Sequence, residues 1–178
     1  LIINNEVVAR VDDRSEWGAR SLCNRSLLVS PKNYKNFSFL NDLIKKRDFW
    51  MPFAPVILDE WAEIYIENWN KLKDRINESS EFMTVSFNAT KKAQEDLICA
   101  IHPKDKTLRV QILKKNKNIK MYNLLKIIEK KLNIGGLLNT SLNLHGEPLN
   151  DTIDQVLSTS KKSNLEHLVI NNYYFKKI

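Results

Sequence analysis

The sequence predicts a single-domain α/β fold. Segments with the pattern of β-strands alternate along the chain with segments that have the pattern of helices, which is typical of this class. The 178 residues are 43% hydrophobic and 28% charged, which is sufficient for one sizeable core beneath a charged surface. No internal repeat, low-complexity linker or shift in composition marks a second domain within residues 1–178.

The first half of the chain predicts three strands and two helices. Strand-like apolar runs occur at 6–11, 26–29 and 53–58, and prolines bound the last of them. Helical spacing of apolar residues predicts helices over 36–46 and 59–77.

The second half continues the alternation. Strand-favouring residues predict strands at 82–87 and 107–113, with a short helix at 89–97 between them. In the second of these strands Arg109 alternates with the apolar residues Leu108 and Val110. The side chain of Arg109 is therefore expected to point away from the core.

The last part of the chain predicts two more helices and two more strands. Residues 121–132 form the clearest amphipathic helix, closed by the pair Gly135–Gly136. An apolar strand follows and ends in a polar segment. Thr152 and Gln155 have capping-box spacing at the start of a helix over 151–159, and 165–175 is expected to be the final strand.

The chain is strongly basic, but the distribution of its charge is typical of a solvated surface. The net charge is +7, and 21 of the 28 basic residues are lysines, which occur in runs such as 114–120. A nucleic-acid-binding module is the alternative that this charge leaves open.

The composition argues against membrane-spanning and disulfide-rich classes. No apolar run approaches the roughly 20 residues that a membrane helix needs. Cys23 and Cys99 are isolated and show no metal-ligand spacing, which favours the cytoplasm. The chain begins at Leu1 with no signal-peptide pattern, so we expect a domain of a longer protein.

Arginine is the scarcer basic residue, and its planar guanidinium suits bidentate binding of phosphate or carboxylate. Five of the seven arginines lie in segments with other features of a binding site, namely Arg14, Arg20, Arg25, Arg47 and Arg109. Arg20 and Arg25 stand five residues apart in "EWGARSLCNRSLL" (16–28), beside Gly18.

A second basic segment is "LIKKRDFWMPFAP" (43–55). Lys45 and Arg47 fall on one face if this segment is extended, so that their charges repel unless an anion joins them. The alternative is that Asp48 balances the two cations within the protein.

A polar cluster occupies "LLNTSLNLHGEPL" (137–149). Small amide and hydroxyl side chains end a predicted strand here and precede a turn: Asn139, Thr140, Ser141, Asn143, Gly146 and Glu147. Such a loop offers backbone N–H groups to an oxyanion, and a polar β-turn is the alternative interpretation. The cluster lacks the G-K-[ST] of a Walker loop and the glycine pattern of a Rossmann fold.

No hydrolytic or metal-binding constellation is visible in the sequence. His102, His145 and His167 do not have the spacing of metal ligands, and neither cysteine has a neighbouring histidine. Residues alone thus indicate an α/β domain with several anion-binding segments.

Four segments in order resemble one family, the O-carbamoyltransferases of the nodulation and antibiotic-tailoring type. "EWGARSLCNRSLL" resembles its E-F-G-P-R-A-L-G-N-R-S-I-L motif, and "IKKRDFWMPFAPVIL" its I-K-x-R-E-x-F-x-P-F-A-P. "TLRVQIL" is similar to T-A-R-V-Q, and "LLNTSLNLHGEP" to L-L-N-T-S-F-N-x-x-G-E-P. The resemblance covers nearly the whole chain and is weakest across 59–80.

The resemblance implies the carboxy-terminal domain of these enzymes, with a YrdC-like mixed twisted sheet flanked by helices. In the family this domain takes carbamoyl phosphate and ATP, with Mg²⁺ accompanying the nucleotide, and makes a carbamoyl adenylate. An amino-terminal, actin-like domain, absent from residues 1–178, then transfers the carbamoyl group to a hydroxyl. The resemblance therefore implies small-molecule substrates and a partner domain in the same polypeptide.

The resemblance also assigns roles to residues. It implies a catalytic set that neutralises phosphate charge and orients the reactants: Lys45, Arg47, Arg109, Ser141 and Asn143. It implies a second set that binds substrate or nucleotide: Arg20, Asn24, Arg25, Ser26, Asn139, Thr140, Gly146 and Glu147. Asn24 and Ser26 are also expected to brace the first loop, and Glu16 to orient an arginine.

Three positions depart from the family pattern. Ala19 stands where proline is usual, Cys23 where glycine is usual, and Met51 where relatives often have a basic residue. A Cβ at position 23 restricts the backbone where a close approach is expected. A domain that has lost activity is therefore a further alternative.

Overall fold

The structure is a computed structural model that describes residues 1–46, 48 and 51–177, without the side chains of Leu43, Lys45 and Asn77. It confirms the predicted α/β class: one mixed seven-stranded sheet carries the core, and helices pack against it. The strands in chain order are β1 (Val8–Val11), β2 (Arg25–Val29), β3 (Pro55–Leu58), β4 (Phe87–Asn88), β5 (Thr107–Leu108), β6 (Gln111–Leu113), β7 (Gly136–Ser141), β8 (His167–Ile170) and β9 (Tyr173–Lys176).

The main sheet has the strand order β6-β3-β7-β2-β1-β8-β9. The β1–β8 and β3–β6 pairs are parallel, and the other four pairs are antiparallel. Strands β4 and β5 form a separate two-stranded antiparallel sheet. Strand β7 therefore lies between β2 and β3, which carry the first two sequence motifs.

The helices connect these strands over the faces of the sheet. The α-helices are α1 (Tyr34–Phe39), α2 (Ala62–Tyr65), α3 (Trp69–Ile76), α4 (Lys91–Asp96), α5 (Ile119–Leu132) and α6 (Ile153–Lys162). Short 3-10 turns span Ile2–Asn4, Asp59–Trp61, Asn77–Phe82 and Ile98–Ala100, and a π-helical turn spans Leu40–Lys45. The buried apolar residues form one contiguous cluster, as expected of a unit that folds on its own.

The single helix predicted over 59–77 is wrong. The segment divides into a 3-10 turn and two short α-helices, because Ile66 adopts an extended conformation and forms a β-bridge with Ala89. Asn68 then takes a left-handed conformation, with φ of 56°, before α3 begins. Pairing of Ile66 with a distant residue has overridden the local helical pattern.

The strand predicted over 107–113 divides between two sheets. Leu108 and Val110 are buried as expected, but Gln111, which a continued alternation would place on the same side as Arg109, is also buried with 4% of its surface exposed. The chain leaves β5 after Leu108 and enters β6 at Gln111, so the simple alternation ends between them. The strand predicted over 82–87 is confined to β4, because 77–82 is a 3-10 turn and Met83 has a positive φ of 56°.

The carboxy-terminal third follows the predictions more closely. The capping box of α6 is confirmed, with Thr152 accepting from the backbone N–H of Gln155 and the Gln155 side chain accepting in return. Helix α5 ends at Leu132, and Asn133 caps it in a left-handed conformation, so the helix stops before the glycine pair. The last predicted strand is a hairpin, β8–β9, because Asn171 adopts a positive φ of 52° and reverses the chain.

Candidate active site

The first sequence motif forms a loop that is closed by its own glutamate. Oε1 of Glu16 accepts hydrogen bonds from the backbone N–H groups of Leu22, Asn24 and Arg25, at 2.7, 2.6 and 3.2 Å. Glu16 was expected to orient an arginine, and instead it gathers the backbone donors of residues 22–25. Leu22 and Asn24 lie outside the strands, so their N–H groups would otherwise lack partners, and Arg25 is the first residue of β2.

Cys23 occupies a backbone conformation that favours glycine. Its φ is 87°, and its side chain is fully buried. The family pattern has glycine here, and the left-handed backbone of Cys23 gives that preference a physical reason. Burial raises the pKa of the Cys23 thiol to about 12, so the thiol stays protonated and serves as a hydrogen-bond donor.

A buried polar cluster lies beneath this loop and connects it to β6 and β7. Nδ2 of Asn139 donates to the carbonyl of Ser21 at 3.1 Å and to Oε1 of Gln111 at 2.9 Å. The Cys23 thiol donates to the same Gln111 oxygen at 3.3 Å. The backbone N–H of Asn139 donates to the carbonyl of Ala54, which fixes the adjacent strand as well. The loop, β6 and β7 are therefore held in one arrangement.

Two adjoining cavities open above the cluster. The larger, of about 480 Å³, is lined by Arg20, Met51, Pro52, Phe53, Ala54, Ser86, His102, Thr107 and Arg109. The smaller, of about 30 Å³, is lined by Ala19, Arg20, Ser21, Ala54, Met83, Arg109, Asn139, Thr140 and Ser141. We call the pair the cleft and the smaller part the recess. Arg20, Ala54 and Arg109 line both parts, so two cations flank the passage between them.

The cleft brings together five of the predicted site residues from three distant segments: Arg20, Arg109, Asn139, Thr140 and Ser141. Arg20 is exposed on the loop, whereas Asn139 is 2% exposed at the base. Such an arrangement combines exposed positive charge with buried amide and hydroxyl groups, which is suitable for binding an anion that carries a small polar head group.

The end of β7 continues into a hydrogen-bonded turn. The hydroxyl of Ser141 donates to Oδ1 of Asn143 at 2.6 Å, and Nδ2 of Asn143 donates to the carbonyl of Glu147 at 2.5 Å. Gly146 is exposed with φ of 78°, a value that suits glycine. Glu147 is also exposed, 3.8 Å from Nζ of Lys162. Asn143, Gly146 and Glu147 do not line either part of the cleft.

The π-helical turn approaches this second turn. The backbone N–H of His145 donates to the carbonyl of Ile44 at 3.0 Å, so the chain at Lys45 lies beside the end of β7. Arg47 and the side chain of Lys45 lie outside the described residues. Their predicted roles therefore remain predictions.

Arg25 is placed differently from the predicted ligand contact. Nη1 donates to the backbone carbonyls of Asp12, Asp13 and Asn24 at 3.0–3.1 Å, and Nη2 to that of Asp151 at 3.3 Å. The residue is 6% exposed and does not line the cleft. Its guanidinium thus ties together the ends of β1, the loop and the start of α6.

Asn24 and Ser26 also lie away from the cleft, in bracing positions. Nδ2 of Asn24 donates to the carbonyl of Arg14 at 3.0 Å, and its Oδ1 accepts from Asn118. The Ser26 hydroxyl hydrogen-bonds with that of Ser21 beneath the loop. This is the bracing that the sequence predicted for the first loop, rather than ligand contact.

His102 is a cleft residue that the sequence did not single out. Its Nδ1 lies 3.0 Å from Oδ1 of Asp105, and its backbone N–H donates to the carbonyl of Thr107 at 2.8 Å. Hydrogen bonds from Thr107, together with the nearby imidazole, hold the pKa of Asp105 below its usual range. Histidine spacing gave no signal for His102, but its place five residues before the Thr107–Leu108–Arg109 motif was visible in the sequence.

The lysine-rich segment 114–120 is largely neutralised by acids. Three of its lysines form ion pairs, Lys114 and Lys117 with Glu81 at 2.7 and 3.3 Å, and Lys120 with Asp12 at 2.8 Å. Burial alone would raise the pKa of Asp12, but the hydrogen bond from Lys120 and the charge of Arg10 hold it below the usual value. The segment therefore offers little uncompensated charge for nucleic acid.

No three His, Cys, Asp or Glu side chains are grouped to hold a metal ion within the described part of the chain. The polar side chains that line the cleft are arginines, one histidine, one amide and hydroxyls, with no carboxylate among them, and carboxylates are the protein ligands that Mg²⁺ usually takes. Over the same residues no helix is long and apolar enough to cross a membrane, and the longest, α5, has 14 residues.

Comparison with known proteins decides the family. Residues 1–177 match the family model described as carbamoyltransferase C-terminus. The chain belongs to this family. It is 34% identical, over its whole length, to an uncharacterized protein of Methanocaldococcus jannaschii, of which it covers 33%.

Two of the similar proteins have names that state a process or an activity. The nodulation protein NolNO of Sinorhizobium fredii is 32% identical over 99% of the chain, which covers 25% of that relative. The 3'-hydroxymethylcephem-O-carbamoyltransferase of Amycolatopsis lactamdurans is 27% identical over 99% of the chain, which covers 32% of it. The chain thus spans a quarter to a third of the length of these relatives.

Proposed function

We propose that this chain is the part of an O-carbamoyltransferase that binds ATP and carbamoyl phosphate and joins them as a carbamoyl adenylate. The observation that carries the proposal is the cleft, in which Arg20 and Arg109 flank a recess lined by the polar end of β7. Family membership and the relative that acts on a hydroxymethylcephem support carbamoyl transfer as the reaction of the longer protein.

The proposed reaction brings two polyanions together. Carbamoyl phosphate, ATP and one water give carbamoyl adenylate, phosphate and pyrophosphate, so several negative charges must share a small volume. Arg20 and Arg109 would neutralise phosphate charge at the opening, and donors at the end of β7 would orient the reacting groups. The described residues include no group of three metal-ligating side chains, and Mg²⁺ would enter on the nucleotide, bound by its phosphates.

The remaining steps belong to the longer protein. An amino-terminal domain would accept the carbamoyl adenylate and transfer the carbamoyl group to an acceptor hydroxyl. We place this reaction in the cytoplasm, where ATP is available. The acceptor is determined by chain outside residues 1–178.

The test measures binding and chemistry separately in the purified chain. Calorimetry with a non-hydrolysable ATP analogue and Mg²⁺, with and without carbamoyl phosphate, measures binding, and pyrophosphate release from ATP measures adenylation. We expect saturable binding of both ligands and pyrophosphate release that requires carbamoyl phosphate.

The variant Arg109→Ala and its control Lys115→Ala locate the site. Arg109 lines both parts of the cleft, whereas Lys115 is an exposed lysine of the 114–120 segment that forms no ion pair with a described residue. Loss of binding in Arg109→Ala alone supports the proposal. Failure of the wild-type chain to bind either ligand, alone and in the full-length protein, contradicts it and favours a domain that has lost activity.

A further inference from the structure

A histidine and an aspartate form a hydrogen-bonded pair beside the larger cavity. Nδ1 of His102 lies 3.0 Å from Oδ1 of Asp105, and a carboxylate oxygen can only accept, so Nδ1 carries the hydrogen of this contact. The backbone N–H of Asp105 is 3.5 Å from the same nitrogen, which is too long to compete. One nitrogen of the imidazole is therefore committed to a partner within the protein.

The carboxylate of this pair is held in place by Thr107. The hydroxyl and the backbone N–H of Thr107 donate to the same Oδ1 of Asp105, at 2.8 and 3.0 Å. These two bonds, together with the nearby imidazole, hold the pKa of Asp105 below its usual range, so the carboxylate is ionised at neutral pH. Thr107 and His102 line the larger cavity, whereas Asp105 does not. The acid thus contacts the imidazole without lining the cavity itself.

The other ring nitrogen, Nε2 of His102, has no hydrogen-bond or ion-pair partner among the described residues. The side chain is 28% exposed and lines the cavity together with Arg20 and Arg109. Because Nδ1 is occupied by Asp105, Nε2 is the ring nitrogen that is available to a molecule in the cavity.

The charges near the imidazole differ between the free and the anion-bound protein. Four cations belong to the cavity lining or to the loop of His102: Arg20, Arg109, Lys104 and Lys106. In the free protein these cations disfavour a charged imidazole, and Asp105 favours one. A phosphate group between the two arginines offsets the effect of the cations, and histidine is the side chain that readily changes its charge between pH 5 and 8.

We propose that His102 contacts a phosphate group of the substrate as an imidazolium, which takes up a proton from solvent when the ligand enters, and that Asp105 is the positioning residue for this contact. The inference rests on the proposed function, because it identifies how a phosphate in the larger cavity is bound. It deepens that function by making the affinity depend on pH, with tighter binding at pH 6 than at pH 8.

The first test counts protons. Calorimetry of the purified chain at pH 7.5, in buffers of different ionisation enthalpy, gives the number of protons taken up per ligand. His102→Gln is the reference, because the ligand's own titration is common to both proteins. We expect the wild type to take up about half a proton more with the ATP analogue and Mg²⁺.

A second ligand identifies the source of the phosphate. Phosphonoacetamide is a stable analogue of carbamoyl phosphate in which CH₂ replaces the bridging oxygen. Additional proton uptake with phosphonoacetamide alone assigns the contact to carbamoyl phosphate rather than to the nucleotide. Equal proton counts in the wild type and His102→Gln, with both ligands bound, overturn the inference and leave the proposed function standing.

The pH dependence of the affinity is the second measurement. The wild type is expected to bind the ATP analogue about tenfold more tightly than His102→Gln at pH 6 and less than about twofold more tightly at pH 8.5. Lys104→Gln, which changes an exposed residue of the same loop, is the matched control and is expected to retain the pH dependence of the wild type. A ratio between wild type and His102→Gln that stays constant with pH contradicts the uptake of a proton.

The sign of the effect at Asp105 separates positioning from long-range charge. Asp105→Asn keeps an oxygen for His102 and Thr107 but removes a negative charge, so electrostatics alone predicts tighter binding of an anion. We expect instead about threefold weaker binding and a smaller proton uptake, because a neutral amide favours the imidazolium less. In the His102→Gln background the same change is expected to cause no loss. Tighter binding in the single variant, or an equal loss in both backgrounds, overturns the role of Asp105.

Nitrogen NMR of the wild-type imidazoles decides the matter if His102→Gln does not fold. Saturation with ligand at pH 7.5 is expected to move Nε2 of His102 to the shift of a protonated nitrogen. His145 and His167 line neither part of the cleft and are internal controls. An unchanged His102 signal in the saturated protein overturns the inference. If neither ligand binds to the chain or to the full-length protein, both proposals fail.

Discussion

The cleft and the segment 114–120 both contain several basic residues, but the two regions surround their charge differently. In the segment, Lys114, Lys117 and Lys120 each form an ion pair with an acid of the same chain. At the cleft, Arg20 is exposed on its loop and forms no ion pair with the residues that the structure describes. The comparison indicates that a candidate anion site is marked by cations that lack a neighbouring acid, rather than by the number of cations.

The largest effect is expected when the charge of each region is reversed. Arg20→Glu places a carboxylate at the opening of the cleft, and we expect the affinity for the Mg²⁺-loaded ATP analogue to fall about 100-fold, or about 2.7 kcal/mol. Lys115→Glu makes the same charge change in the 114–120 segment and is expected to change affinity by less than about threefold, through screened long-range interaction. Equal losses in the two variants, measured by calorimetry at 0.15 M salt, would remove the distinction between the regions.

A second effect concerns how tightly the loop is organised beneath Arg20. Glu16→Ala leaves the backbone donors of Leu22, Asn24 and Arg25 without their shared acceptor, and we expect a loss of about 2–3 kcal/mol in the free energy of unfolding. Glu16→Gln keeps one oxygen in place and is expected to cost about 1 kcal/mol, since the acceptor is no longer charged. Denaturant unfolding of both variants measures the difference, and equal stabilities would show that the carboxylate does not organise the loop.

A third effect concerns His102, which lines the cleft without having been predicted. We expect His102→Gln to weaken binding of the ATP analogue by three- to tenfold, because the imidazole is a nearby donor to an anion in the larger cavity. Lys104→Gln changes an exposed residue of the same loop and serves as the control. Calorimetry at neutral pH compares them; a greater loss in the Lys104 variant would place the anion outside the cleft.

The smallest effect is expected from the ion pairs of the 114–120 segment. Asp12 has a lowered pKa in the folded protein, so its carboxylate stabilises the fold above its ordinary pKa of about 4, and that stability is lost as the pH falls through the folded value. Lys120→Met removes one cation and is expected to cost about 0.5 kcal/mol at pH 7, because the lysine is exposed.

The difference between Lys120→Met and the wild type should shrink as both proteins are acidified and Asp12 becomes protonated. Lys115→Met, which breaks no ion pair with a described acid, is the matched control. Unfolding curves between pH 7 and pH 2 check this, and a difference that grows in acid would contradict the assignment. Neither variant is expected to alter nucleotide affinity.

Local sequence patterns were sufficient where an element is stabilised by its own residues. The capping box at Thr152 and the alternation of helices and strands were visible for this reason. Patterns failed where a distant partner decides the conformation. Ile66 forms a β-bridge with Ala89, which is distant in the sequence. Gln111 is buried because Asn139 and Cys23 donate to its amide oxygen. A short stretch of sequence around Ile66 or Gln111 contains neither partner.

The site was predictable in part, for a related reason. Residue chemistry and family resemblance indicated Arg20, Arg109 and Asn139, which the fold brings to one cleft. The same reasoning gave Arg25 an equal role, although both terminal nitrogens of its guanidinium donate to backbone carbonyls. Two arginines five residues apart look alike in a sequence, and only the path of the chain separates the one at the surface from the one beneath it.

The carboxylate of Glu16 has a consequence for the entropy of binding. Backbone N–H groups that converge on one oxygen are the means by which loops surround phosphate. Here the converging oxygen is supplied by the chain itself, so the loop is ordered during folding rather than when a ligand arrives. If Arg20, at the exposed side of this loop, binds an anion as proposed, it does so on a preorganised support, and the conformational cost of arranging that support would not weaken the affinity.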